Sequence, residues 1–327
     1  MLFKNILFIF LILFFIPKCF ATFSSSFREF LKNYGGEQLD RELSREDVGA
    51  GGSFGGGNHK VGEQTRQKIL FILFSNSRTH RLETIVSYNS VYLVLRASIS
   101  EILLIILRPV IIVHGITNSA GQFEQIRQYF LTHGYVDEEV YATTYGDAGK
   151  TNVLFVTMQC HYVKMIRLMI QTVAQYTTSR VNIIGISMGS PIARKAIMGG
   201  NCVDTNDYLG PPLTDLIHTF VGVAGANWGS FLCIIPIGSC NLINGMACGS
   251  KFLNDINSRQ RYEGNFIFTI FSTGDEKVGY QACGRVASSI AGENQNFKHD
   301  GLTHDQVIFN TAAMQYNLVT YGQPQNP

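Results

Sequence analysis

The chain has 327 residues, of which 46% are hydrophobic and 15% charged, and a formal net charge of +2. That near balance excludes the concentrated basic face of a nucleic-acid binder, and the scattered Lys and Arg read as ordinary solvated surface. The length and apolar content suffice for one globular domain with a full core, with room for an extra segment.

An apolar run over residues 6–16 follows Lys4 and leads to Cys19-Phe20-Ala21, with small residues at both cleavage-determining positions. This is read as a secretory signal peptide over 1–21, since the run is well short of the ~20 residues needed to cross a bilayer. Cleavage after Ala21 leaves Cys160, Cys202, Cys233, Cys240, Cys248 and Cys283, an even set suited to disulfides in an oxidising, extracellular setting. Six cysteines allow about 15 pairings, among which the sequence does not choose. The crowding of Cys233, Cys240 and Cys248 suggests a stapled loop. No C-x-x-C pair occurs, so no zinc site is expected.

Residues 22–68 read as an N-terminal extension: a charged, mostly helical stretch at 27–47, then a glycine-rich segment at 49–57 that forms a linker or a docked loop. Two apolar runs separated by a polar middle make 69–107 an insertion that does not fit the scheme around it. Its later part, 91–107, is interrupted by Arg96 and Glu101 and is short for a membrane span.

From residue 108 to 327 strands and helices alternate. Strands are expected at 110–113, 139–145, 181–184, 219–223 and 266–271, with helices at 122–131, 159–176, 191–198 and a closing helix at 305–318. In the second helix Val163, Ile166, Met169, Ile170 and Val173 share one face. Such alternation implies an α/β domain with a mainly parallel sheet and helices on both faces.

The strongest local signal is Gly185-Ile186-Ser187-Met188-Gly189, a G-x-S-x-G between a predicted strand and a predicted helix. A sharp strand-to-helix turn strains the serine backbone, and only small flanking residues leave room for it. A serine hydroxyl needs a base to take its proton, and that base needs an orienting carboxylate. In the fold that uses this turn they follow in the order serine, acid, histidine. Asp275 lies just beyond the 266–271 strand and is the best acid candidate, with Glu276 as a neighbouring alternative. After Asp275 the chain offers His299 and His304; His304 is preferred because it precedes the closing helix, with Thr303 and Asp305 able to cap it. Acyl transfer develops an oxyanion that needs backbone donors, which Met188 and the loop His114-Gly115-Ile116 would supply, with Ile116 preferred for the second N–H. His114 itself reads as structural. The stretch Gly146-Asp147-Ala148-Gly149-Lys150-Thr151 imitates the end of a phosphate loop, but position 144 is Thr144, so nucleotide binding is rejected. No metal or other cofactor is expected.

At these residues the chain resembles the class 2 lipase family and looks closest to its nematode lipase-related branch. The match runs from about Arg108 to Leu318 through Pro109 to Gly115, Tyr145-Gly146-Asp147, the Ser187 motif, Ala224-Gly225-Ala226-Asn227-Trp228-Gly229 and Gly301-Leu302-Thr303-His304-Asp305. The resemblance implies a compact α/β-hydrolase core with little or no lid that acts on carboxylic esters of lipids. It puts Ser187, Asp275 and His304 on the catalytic positions, and Ile116 and Met188 on the oxyanion positions. The implied partners are a lipid ester and, transiently, a lipid surface, with no nucleic acid and no obligate protein partner. Two departures stand out: the 69–107 segment, read as foreign to the domain, and Ile186 where many lipases carry histidine. Rival readings are a short-chain carboxylesterase and an inactive lipid-binding protein on the same fold.

Overall fold

In the central strands, consecutive apolar residues divide between two separate cores. Ile111 and Val113 pack with Tyr141, Ile183 and Phe220, whereas Val110 and Ile112 pack with Val140, Ala142, Ile184 and Val221. Successive strand residues point to opposite faces, so a strand covered on both sides reads as a near-continuous apolar run, here interrupted by the buried Asn182, Thr219 and Thr269. The computed structural model describes residues 22–57 and 107–323. The expected signal peptide at 1–21 and the apolar insertion, apart from Leu107, lie outside the described residues.

The strands are β1 (Ser53–Phe54), β2 (Val110–Val113), β3 (Val140–Thr143), β4 (Val181–Ile186), β5 (Ile217–Val223), β6 (Phe266–Ser272), a small hairpin of β7 (Gln281–Ala282) and β8 (Arg285–Val286), and β9 (Gln295–His299). Apart from the hairpin they form one seven-stranded sheet in the order β1-β3-β2-β4-β5-β6-β9, parallel except where β1 meets β3. The helices are α1 (Ser25–Ser44), α2 (Glu124–Thr132), α3 (Cys160–Thr177), α4 (Gly189–Met198), α5 (Lys251–Ile256), α6 (His304–Asn310) and α7 (Ala312–Tyr321). The core that takes Ile111 and Val113 also takes α1, α3, α4 and α5; the other takes α2, α6 and α7. The expected α/β architecture, a mainly parallel sheet with helices on both faces, is the one observed.

Four local features differ from the sequence reading or refine it. The glycine-rich segment is docked rather than a free linker: Ser53 and Phe54 pair with Thr143 and Ala142, and the Gly121 N–H donates to the Gly51 carbonyl at 2.8 Å. The 139–145 strand is shorter because the Glu139 carboxylate turns back to accept from the Val136 N–H at 3.0 Å, which commits residues 137–139 to a 3-10 turn. The closing helix is broken at Thr311, whose hydroxyl donates to the Val307 carbonyl at 2.6 Å and accepts from the Gln315 side chain at 3.0 Å. Finally, β9 extends the sheet beyond β6, where no strand was expected. Among the described residues no helix is long and apolar enough to cross a membrane.

Three disulfides, Cys160–Cys202, Cys233–Cys240 and Cys248–Cys283, join the six cysteines that the sequence left unpaired. The short Cys233–Cys240 bridge is the staple that the crowding suggested, while Cys248 reaches instead to the turn between β7 and β8.

Behind the sheet α4 is buried along its whole length and carries two cations inward. The Arg194 guanidinium donates to Glu263 at 2.9 Å and also to Asn257 Oδ1 and the Ile256 carbonyl; Arg194 is 1% exposed and Glu263 fully buried. Lys195 meets Asp255 at 2.5 Å. Removing one partner of such a pair leaves a buried charge uncompensated. Replacing Glu263 with Ala should therefore lower the unfolding free energy by about 3–5 kcal/mol in denaturant titration. A loss below ~1 kcal/mol would show that this pair does not hold α4 in place.

Candidate active site

Parallel register brings the ends of several strands to one edge. Val113 pairs with Gly185, Ile186 with Val223, Val223 with Ile270 and Ser272 with His299, so the segments that follow β2, β4, β5 and β6 emerge side by side. At such a carboxyl edge the loops, rather than the strands, present side chains to a ligand.

Ser187 occupies the turn between β4 and α4 with a left-handed φ of 53°. For a residue with a Cβ such a conformation costs about 1–3 kcal/mol and persists only where its surroundings over-determine it. They do so here: its N–H donates to the Val223 carbonyl at 2.9 Å, and its own carbonyl accepts from the Ser190 and Ala226 N–H groups. The flanking glycines are required by close approach. A Cβ on Gly189 would overlap the His114 carbonyl oxygen, and one on Gly185 would lie 2.7 Å from the Ser190 Cα. The motif is thus the imprint of α4 pressed against the end of β2.

His304 opens α6. Its preceding residue Thr303 is the N-cap of a reciprocal capping box, accepting from the Gln306 N–H at 3.3 Å while Gln306 accepts from the Thr303 N–H at 2.9 Å. The imidazole Nδ1 faces Asp275 Oδ2 at 2.7 Å and Nε2 faces Ser187 Oγ at 3.1 Å. With the proton on Nδ1, that nitrogen donates to the carboxylate and Nε2 is free to accept from the serine hydroxyl. All three side chains are buried, none more than 6% exposed.

The other oxygen of Asp275 sits in a backbone cradle, accepting from the N–H groups of Lys277 and Val278 at 2.9 Å and of Gly279 at 3.3 Å. Burial works against its charge. The hydrogen bond to His304, the attraction of that imidazole and the backbone donors outweigh burial and hold the carboxyl below its ordinary value. This cradle was missed in the sequence, because any three residues can supply backbone N–H groups; only Gly279 hints at a tight turn.

Of the alternatives, Glu276 does not face the imidazole; its carboxylate accepts from the His304 backbone N–H at 2.9 Å and so fixes the start of α6. His299 ends β9, and its buried Nε2 meets no hydrogen-bond partner. The structure brings together Ser187, Asp275 and His304, and it brings neither Glu276 nor His299 into that line.

Ile116 and Met188 lie on the two segments that meet at Ser187. A Cβ on Gly115 would come within 3.0 Å of the Ser187 Cβ, so the loop that carries Ile116 runs directly past the serine. Among the described residues no group accepts from the Ile116 or the Met188 N–H. Two unclaimed donors next to a hydroxyl are the arrangement that stabilises a developing oxyanion. His114 is wholly structural. It stacks on Tyr145 with centroids 4.0 Å apart, its Nε2 accepts from the Tyr145 N–H at 3.0 Å, and burial lowers its pKa to about 4, so it stays neutral.

Behind the serine, Ser190 donates to Asn227 Oδ1 at 2.9 Å and Asn227 donates to the Ser288 carbonyl at 2.8 Å, which ties α4 to the segment after β5. The turn 146–151 is closed by Asp147, which accepts from the Thr151 N–H and hydroxyl, and so makes no phosphate cradle. The sole grouping of metal-type ligands among the described residues contains the disulfide-bonded Cys160 and Cys202 with Asp204, and oxidised cysteines are poor ligands.

Residues 107–317 match the family described as lipase (class 2). Among solved structures the chain is similar to Aspergillus fumigatus lipase B, with 16% identity and a TM-score of 0.50 over 67% of this chain and 54% of that one. It is also similar to Bacillus licheniformis lipase BlEst2 in mature form, with 15% identity and a TM-score of 0.46 over 65% of this chain and 92% of that one. The chain thus spans about half (54%) of the Aspergillus protein. At such identities the likeness concerns architecture, which is the α/β-hydrolase fold. No curated protein sequence matches the chain.

Because folding lowers the Asp275 pKa, the stabilisation it brings is complete above the ordinary value of 3.8 and is lost as the pH falls through the lower folded value. The melting-temperature advantage of the wild type over Asp275→Asn should therefore shrink as the pH falls below 3.8. An advantage that grows as the pH falls below 3.8 would overturn this account of the carboxylate.

Proposed function

The chain belongs to the class 2 lipase family, and on that premise we propose that it hydrolyses carboxylic esters of lipids through an acyl-enzyme on Ser187. The observation that carries the reading is the unbroken line from Ser187 Oγ to His304 Nε2 at 3.1 Å and from His304 Nδ1 to Asp275 Oδ2 at 2.7 Å.

In this reading Ser187 Oγ attacks the ester carbonyl as its proton passes to His304 Nε2. Asp275 holds the imidazole in the required tautomer and stabilises the imidazolium that forms. The N–H groups of Ile116 and Met188 donate to the oxyanion of the tetrahedral intermediate. His304 then gives its proton to the departing alcohol, leaving an acyl-serine. A water molecule, deprotonated by the same imidazole, releases the acid and restores the hydroxyl. No metal or cofactor enters these steps. Supporting a lipid substrate is the family, within which we propose that the chain falls in the nematode lipase-related branch. We also propose that the protein is secreted, a reading supported by its three disulfides, which suit an oxidising compartment.

The test is hydrolysis of a chain-length series of p-nitrophenyl esters, with Ser187→Ala alongside. Activity should rise toward long acyl chains, and the variant should lose it by at least about a thousandfold in kcat while keeping its fold by circular dichroism. Activity confined to short chains would make the protein a carboxylesterase. A folded variant that is fully active would remove Ser187 from the mechanism, and an inert wild type would favour a binding protein.

A further inference from the structure

Two loops near the candidate site leave large apolar side chains in water. The 3-10 turn Val153–Phe155 exposes Leu154 and Phe155, the latter by 69%. Residues 231–243 expose Phe231, Ile234, Ile235 and Ile237, reaching 86% at Ile234 and 71% at Ile237. The loops touch each other: a Cβ on Gly238 would overlap the Leu154 carbonyl, and the Met158 N–H donates to the Asn244 carbonyl at 2.8 Å. Soluble proteins rarely expose a contiguous apolar surface of this kind without a use for it.

These side chains are not needed to shape the loops. The Cys233–Cys240 disulfide closes the longer one. Asn241 Oδ1 accepts from the Ile243 and Asn244 N–H groups at 2.7 and 3.0 Å, and the Ser239 carbonyl accepts from the Met246 N–H at 2.8 Å. Covalent and polar bonds thus satisfy the loop inwardly, while the aliphatic groups point out.

Each loop is rooted beside the proposed chemistry. The Phe231 N–H donates to the Val278 carbonyl at 3.0 Å and the Ser230 hydroxyl to the Lys277 carbonyl at 2.7 Å, both in the turn whose N–H groups cradle Asp275. On the other side, a Cβ on Gly149 would come within 2.6 Å of the Thr117 carbonyl, so the turn that leads to Val153 packs on the loop carrying Ile116. One loop rises from the acid side and the other from the proposed oxyanion side.

We infer that these two loops form a docking surface for an uncharged lipid phase, holding the site against the layer in which its substrate is dissolved. The inference rests on the lipid-ester reading above. Charge chooses the occupant: no Asp, Glu, Lys, Arg or His occurs in residues 151–160 or 231–250, with Lys150 and Lys251 only at their ends, so the loops themselves offer nothing to anionic headgroups. A protein partner would be met by about one hydrogen bond per 100–200 Å², and the exposed side chains named here are aliphatic or aromatic without a polar atom. A fluid apolar phase asks for no such directionality.

The test compares Ile234→Asp/Ile237→Asp with its parent, both positions being too exposed to carry the fold. Binding is read by flotation with phosphatidylcholine-coated triolein droplets, in a Ser187→Ala background so that the droplets are not consumed. The parent should float equally at low and high salt, and the double variant should partition at least about tenfold less. In otherwise wild-type protein the same pair should depress hydrolysis of emulsified triolein while leaving that of soluble p-nitrophenyl acetate unchanged. Equal flotation of parent and variant, or flotation abolished by salt, would overturn the inference. So would sedimentation showing that the parent self-associates through these residues and does not float. Soluble-ester hydrolysis without flotation sinks the docking surface alone, whereas flotation without any ester hydrolysis sinks the hydrolase reading alone.

Discussion

The chain must pass from β4 into α4 through one left-handed residue while the first turn of α4 lies against the carbonyl of His114. Gly185 and Gly189 follow from that close approach, as does the strained φ of Ser187. The strain is offset by what surrounds it. Every residue of α4 is buried, its far face is locked to Glu263 and Asp255, and the Ser187 backbone bonds to Val223, Ala226 and Ser190. The cost at the turn, about 1–3 kcal/mol, is small against the packing of a wholly buried helix. Because β2, β4, β5 and β6 are parallel and in register, fixing this one turn also fixes where the loops after the other strands emerge.

The segment after β6 carries a second constraint. Between Asp275 and Gly279 the backbone donates inward to the carboxylate and accepts outward from Ser230 and Phe231. The same few peptide groups therefore add to His304 in holding the charge of the acid and also fix the placement of the apolar loop. Lys277 adds a bridge to Asp305 on α6 at 2.7 Å, but both side chains are more than half exposed, so the bridge contributes little beside the buried bonds. The orientation of the imidazole is governed by the capping box at Thr303 and by Glu276, whose carboxylate takes the His304 N–H. Two neighbouring acidic residues thus do different things: one faces the ring and the other faces the backbone beneath it.

Much of this was legible in the sequence, for identifiable reasons. The central strands are buried on both faces and so read as apolar runs, unbroken in β2 and interrupted in β4 by Asn182 and Gly185, and the glycines on either side of Ser187 report a steric need. The segment Gln295–His299 was not legible as a strand. It lies at the sheet edge and joins through backbone hydrogen bonds, with only Phe297 as an apolar side chain. In the glycine-rich segment composition argues for irregular backbone, while β3, far along the chain, imposes pairing on Ser53 and Phe54. Disulfide partners could not be chosen because Cys248 and Cys283 are brought together by tertiary structure. Conversely, the apolar residues of 231–243 resemble core in composition, and only the structure reveals that they face outward.

The Ser230 N–H donates to the Met246 carbonyl at 3.1 Å, so the stretch between them leaves and rejoins the domain at almost the same point. Its internal bridge, Cys233–Cys240, lies wholly within the excursion, and Cys248–Cys283 lies wholly outside it. Such an excursion behaves as a cassette. Lengthening, shortening or exchanging its outer part, between Phe231 and Leu242, leaves the bonds of Ser230 and Phe231 to the turn around Asp275, and those of Leu242 and Ile243 to the start of α5, where they were. Selection could thus retune the environment in which this domain works while its reaction geometry is inherited unchanged.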